Sequence, residues 1–126
     1  MRRTDQRKEA VFALYQRDVT DRSLSDLLEG AKPFSRELAE GTDANLERID
    51  REITSLSRGW ALERIAPLDR AILRVALYEL LLSDAVPAEI AIDEAVGLAK
   101  EFCGADAPSF VNGILGAAAR QAGVAS

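Results

Sequence analysis

The 126 residues are 48% apolar and 29% charged, a balance that describes one soluble globular domain (residues 1–126) and excludes collagen-like, disordered and low-complexity chains. A single cysteine and no histidine exclude an intrachain disulfide, and they argue against a structural zinc site and against histidine-based catalysis. No metal, cofactor or enzymatic activity is therefore expected, although Asp, Glu, Lys and Tyr remain for acid–base work. The net charge of −5 argues against a general nucleic-acid coating protein. The charge is unevenly spread: residues 1–22 carry six basic and four acidic side chains, and Arg2, Arg3, Arg7 and Lys8 face only Asp5 within the first eight. The first twenty residues lack a continuous apolar stretch, so no signal peptide is expected. The most apolar window, 71–82, is too short to span a bilayer and is broken by Arg74 and Glu79, so the expected location is cytoplasmic, away from membranes.

Helical signals run from end to end. Thr4 followed by Asp5 predicts a helix start, and Ala10, Val11 and Leu14 carry the apolar spacing of a first helix over residues 4–19. A short apolar turn with Leu24, Leu27 and Leu28 starts near Ser23 and stops at Gly30. Pro33 opens a third helix, where Phe34, Leu38, Leu46, Ile49, Ile53 and Leu56 hold one stripe along a single long segment weakened at Gly41. That segment is expected to end at Ser57, Arg58 and Gly59, the seam between an N-terminal sub-bundle (1–58) and a C-terminal one (59–126), with Trp60 as an apolar plug.

The second half is punctuated by prolines. A short helix is expected over 60–65. Pro67, Pro87 and Pro108 each suit a helix start better than a helix interior. Segment 67–83 is apolar around nearly its whole circumference, which predicts the central buried helix. Segment 88–102 places Ile92, Ala95, Val96, Ala99 and Phe102 on one face, and segment 108–121 carries Phe110, Val111, Ile114, Leu115 and Ala118. No run alternates strictly enough for a half-buried strand. The expected fold is all-α, about seven helices in two packed small bundles.

Without any further information, the basic start reads as a phosphate site. Arg3 and Arg7 are four apart, and Lys8 and Tyr15 are seven apart on nearly the same line, so cations and a ring can meet the backbone and bases of unpaired RNA. Asp106 can cap the last helix beside an anion-attracting N-terminus. Asn112 and Gly113 fit close helix packing, and Cys103 fits a small apolar core position.

The ordered set of motifs carries a resemblance. A helix at 68–81 is followed by Val86–Pro87, then by I-x-E-A-x-x-L-A-K at 92–100 and F-V-N-G-x-L at 110–115, after a basic start and Ala13–Leu14–Tyr15. This set resembles the NusB transcription antitermination factor family over nearly the whole chain. The resemblance implies an all-helical, non-enzymatic protein that binds boxA-type single-stranded leader RNA with the small-subunit ribosomal protein NusE, within the elongating RNA polymerase complex, in support of ribosomal RNA operon transcription. NusB-like domains also occur fused to RNA cytosine methyltransferases, and the expectation here is the stand-alone form.

Carried over residue by residue, the resemblance implies RNA contact at Arg2, Arg3, Arg7, Lys8 and Tyr15, and at Asp106, Ser109 and Phe110. It implies partner contact at Tyr15, Glu63 and Asp69, where acidic groups steer a basic protein. The arginine run is sparser than NusB-like chains often carry, RRTDQRKE with Asp5 inside it. A second reading therefore stays open: a helical protein–protein module that binds the ribosomal protein, or itself as a homodimer, with weak or lost RNA recognition.

Overall fold

A computed structural model of the chain describes residues 1–58, 60–83 and 85–123, so Gly59 at the expected seam lies outside the described residues. Among those residues there are seven α-helices, one 3-10 turn and no strand. The helices are α1 (Arg3–Val19), α2 (Leu24–Leu27), α3 (Pro33–Ala44), α4 (Leu46–Leu56), α5 (Pro67–Leu82), α6 (Ala88–Phe102) and α7 (Ala107–Ala122), with the 3-10 turn at Leu62–Arg64.

Helix α5 is the axis of the molecule: it packs against α1, α3, α4, α6 and α7. Its buried positions run from Ala71 to Leu77 and continue at Glu79 and Leu80, as an apolar circumference demands. Around it, Leu14, Leu38, Ile49, Ile53 and Leu115 are almost fully enclosed. Each such side chain stabilises the fold by about 1.5–3 kcal/mol relative to exposure. Packing crosses residue 58, because α4 rests on α5 and α7 while α1 rests on α3 and α5.

Several local expectations are corrected. Helix α1 starts at Arg3, with Arg2 in the capping position and making no side-chain capping bond. The Thr4 hydroxyl instead donates to Glu94 at 2.7 Å. The long third segment is two helices. Asn45 breaks it with φ −116° and ψ 19°, and its side-chain amide donates to the Gly41 carbonyl at 2.8 Å, a local bond that competes with the helical ladder. The start of α3 is satisfied from outside: Glu9 accepts from the Lys32 N–H and Gln6 from the Phe34 N–H, so α1 caps α3.

On α6 the buried face is Ala91, Ala95, Leu98 and Ala99, rotated from the expected stripe; Ile92 and Val96 are half-buried and Phe102 is exposed. Trp60 is no plug. It stands 57% exposed beyond α4, and the expected helix over 60–65 shrinks to the 3-10 turn. Asn112 and Gly113 are exposed, and a Cβ at Gly113 would meet nothing within 4 Å. The glycine that permits close helix packing is Gly41, where a Cβ would overlap the Tyr78 ring.

Candidate nucleic-acid interface

The N-terminal cations separate into three environments. Arg2 is exposed, its Nε 3.3 Å from Asp5. Arg3 is also exposed and lies over the Phe34 ring, 4.3 Å from its centroid, where the ring's negative face attracts a cation.

Arg7 is the correction. Its i,i+4 spacing from Arg3 does bring both guanidinium groups to Phe34, but that face of α1 turns toward α3 and the interior. Arg7 is only 4% exposed, and its Nε and Nη2 donate to Glu79 at 2.8 and 2.9 Å, a bidentate pair inside the core. Glu94 stands 3.6 Å from Nη1. Burial alone would lower the Arg7 pKa; the hydrogen bond and charge of Glu79, with the charge of Glu94, hold it above the ordinary value. Arg7 is a structural cation, locked away from any phosphate.

Lys8 points outward to the end of α6. Its Nζ is 3.1 Å from Glu101 and 5.2 Å from the centroid of Phe102. The Phe102 ring is 40% exposed and meets Phe12 edge to face at 5.0 Å. Phe12 follows Lys8 by one helical turn, and Tyr15 follows Phe12 by nearly another, half-buried against the core. The rings of Phe12 and Phe102 were missed in the sequence because the helical spacing of Phe102 placed it on a buried face. The i,i+4 pair Lys8–Phe12 on a basic helix was the available signal.

The surface continues from Phe102 into the loop after α6. The Cys103 thiol, half-buried, lies near Asp69 in the first turn of α5. Burial first, and then the nearby Asp69 carboxylate, push the thiol up to about 12, so it stays protonated at neutral pH. Asp69 in turn lines a cleft of about 370 Å³ together with Asp106, Ala107 and Phe110. Asp106 sits at the capping position of α7 but makes no capping bond, because its own backbone is already helical (φ −86°, ψ −13°). Its carboxylate belongs to the cleft instead of the helix end. Phe110 is half-buried there, and Ser109 is exposed beside it on the border of a second cleft. Glu63 is exposed in the 3-10 turn and does not line the first cleft.

Two arginines fix this face to the rest of the molecule. Arg70, next to Asp69, donates to Asp18 at 2.6 Å and to the carbonyls of Leu62 and Ile65, both at 3.2 Å, which ties the 3-10 turn to α1 and α5. Arg74 grips Asp50 with two bonds of 2.8 and 3.0 Å, which ties α4 to α5. Among the described residues no group of three His, Cys, Asp or Glu could hold a metal ion. No helix among them is long and apolar enough to cross a membrane.

Fold and face together describe an all-helical protein with cations, an exposed ring beside half-buried ones, and carboxylates along one surface. Comparison with known proteins makes the class specific. The NusB family matches residues 4–120. The transcription antitermination protein NusB of Rubrobacter xylanophilus is 43% identical over 122 residues, covering 91% of this chain and 88% of that protein. The NusB of Halalkalibacterium halodurans is also 43% identical, covering 91% of each. Among solved structures, T. maritima NusB superposes with a TM-score of 0.90 at 34% identity, over 96% of this chain and 92% of that one. A chain in the crystal structure of a plectonemic RNA supercoil gives a TM-score of 0.90 at 25% identity over the full length of both. The antitermination factors NusB and NusE in complex with dsRNA give a TM-score of 0.85 at 22% identity, over 94% of this chain and 96% of that one, a likeness of fold. The chain belongs to the NusB family.

Proposed function

We propose that this chain is a transcription antitermination factor. It binds boxA-type single-stranded leader RNA together with the ribosomal protein NusE, joins the elongating RNA polymerase complex in the cytoplasm, and supports transcription of ribosomal RNA operons. It works by recognition, without catalysis and without a cofactor. The reading draws on the NusB relatives, which carry the name transcription antitermination protein. It also draws on the structural likeness to chains seen with RNA.

The observation that carries it is one surface running from Lys8 over the exposed Phe102 ring, past Cys103 and the nearby Asp69, to the cleft that Asp69 shares with Asp106 and Phe110. Lys8 can exchange Glu101 for a phosphate, because that ion pair lies at the surface and is worth little. Phe102 and Phe110 offer rings to unstacked bases. Asp106 and Ser109 offer polar atoms to base edges. Arg2 and Arg3 extend the positive end. Glu63, Asp69 and Tyr15 form the side that meets the basic ribosomal protein. The chain acts as a single unit, since α5 serves helices from both of the expected sub-bundles.

The test is binding of the purified protein to a boxA-like RNA and a scrambled control, with and without NusE, at two salt concentrations. With Arg2, Arg3 and Lys8 on phosphates, the log–log salt slope is about −2. Lys8→Glu lowers affinity at an unchanged melting temperature, and NusE tightens RNA binding. Equal binding of the scrambled RNA overturns the reading. A second reading, a protein-only module, draws on the locked Arg7; NusE capture or self-association with no RNA shift at low salt selects it.

A further inference from the structure

The corner around Trp60 adjoins the surface just assigned, at the 370 Å³ cleft that also holds Asp69, Asp106 and Phe110. Trp60 is the chain's only tryptophan, yet it is 57% exposed. Its backbone is held while its ring is displayed: the N–H donates to the Ser57 carbonyl at 3.3 Å, and the carbonyl accepts from the Ser57 hydroxyl at 2.9 Å. Arg58 has φ 52°, a left-handed conformation that is unfavourable for a residue with a side chain and persists only where the surroundings impose it.

Three concavities meet at the indole. The 370 Å³ cleft adds Arg64 to Phe110. A second, of about 500 Å³, brings Arg58 and Arg120 and is also lined by Phe110. A third, of about 490 Å³, is bordered by Arg58 and Arg64. None of these three arginines forms an ion pair with a described residue, whereas Arg7, Arg70 and Arg74 are all paired. Among the described residues, the charged groups lining the second and third concavities are all arginines. Asp69 and Asp106 border the first alone.

We infer that this corner is a second polynucleotide subsite, where an unpaired base stacks on Trp60 and the flanking phosphates meet Arg58, Arg64 and Arg120. A displayed ring among unpaired guanidinium groups is the chemistry that holds single-stranded nucleic acid without sequence preference. The positive charge of the second and third concavities repels a basic protein, and Asp69, on the NusE-facing side, borders only the first. The inference rests on the RNA reading above, with Phe110 as the link, since it lines both the first and the second cleft. It adds that nucleotides adjoining the boxA element contribute to binding.

The lone tryptophan reports on its own occupancy. The full chain is titrated with boxA-like RNA and with the same RNA carrying an unpaired extension of about six nucleotides at either end, a length within the range of single-strand sites. The extended RNA quenches Trp60 emission and binds roughly tenfold tighter, the gain expected of one stacked base. Trp60→Ala abolishes that gain and Trp60→Phe keeps most of it, with folding checked by circular dichroism. Arg58→Gln with Arg120→Gln makes the log–log salt slope for the extended RNA shallower by about 1.4. If the short RNA binds and the extension adds neither affinity nor quenching, the subsite is wrong and the RNA reading stands. If neither RNA binds, both fail. If Trp60→Ala weakens capture of NusE or self-association and leaves the extended RNA untouched, the corner is a protein-docking face and the inference is overturned.

Discussion

At the scale of single residues, the guanidinium of Arg7 and the ammonium of Lys8 are chain neighbours with opposite fates. Removing Arg7 leaves the Glu79 carboxylate, itself 2% exposed, in the core without its bidentate partner. Breaking a buried pair on one side costs about 3–5 kcal/mol. Arg7→Ala should therefore lower the unfolding free energy obtained from a urea titration by about that amount, and a loss below about 1 kcal/mol would contradict the buried pairing. Any loss of RNA affinity in an Arg7 variant reads out folding, so recognition is tested at Lys8, Arg2 and Arg3. The sequence showed that Arg3 and Arg7 share a helix face. It did not show which way the face turns, because the carboxylate that decides this is 72 residues away on α5. Asp106 was legible as a residue before a helix but not as a cleft carboxylate, since its backbone conformation follows from the loop between α6 and α7.

Among the helices, starts and central burial were legible and breaks were not. Pro33 and Pro67 do occupy first-turn positions, and the apolar circumference of 67–83 does belong to the most buried helix. The break at Asn45 escaped because the apolar stripe passes through it: Leu38, Ile49 and Ile53 are all buried on both sides of the bend. Gly41 looked like a weakness in a helix and is a contact. With the Tyr78 ring against its backbone, α3 approaches α5 more closely than any side chain would allow. Gly41→Ala gains about 1 kcal/mol of helix propensity. It also forces the ring aside, and such overpacking costs about 1–3 kcal/mol, so the net change is a lower melting temperature. Adding Tyr78→Leu should restore much of the loss, and a double-mutant cycle measures the coupling; strict additivity of the two changes would refute the contact.

Seen whole, the molecule is tied together across the point where its sequence places a seam. The proline-rich second half and the glycine near residue 58 read as a seam between two bundles. Packing crosses that point: Asp18 and Asp50 from the first half hold Arg70 and Arg74 from the second, and one contiguous core takes side chains from α1 through α7. Long-range ion pairs of this kind leave no periodic trace, so the sequence did not show which side chains join the two halves. The shared axis has a consequence for cleavage. Cutting the chain after the exposed Arg58 strips one wall from α5 in the C-terminal piece and leaves the N-terminal piece with Leu14, Leu38 and Ile53 facing solvent. Neither fragment can hide its apolar surface alone. Limited trypsin digestion should pass directly from intact chain to small peptides, with no long-lived half-length product on a gel.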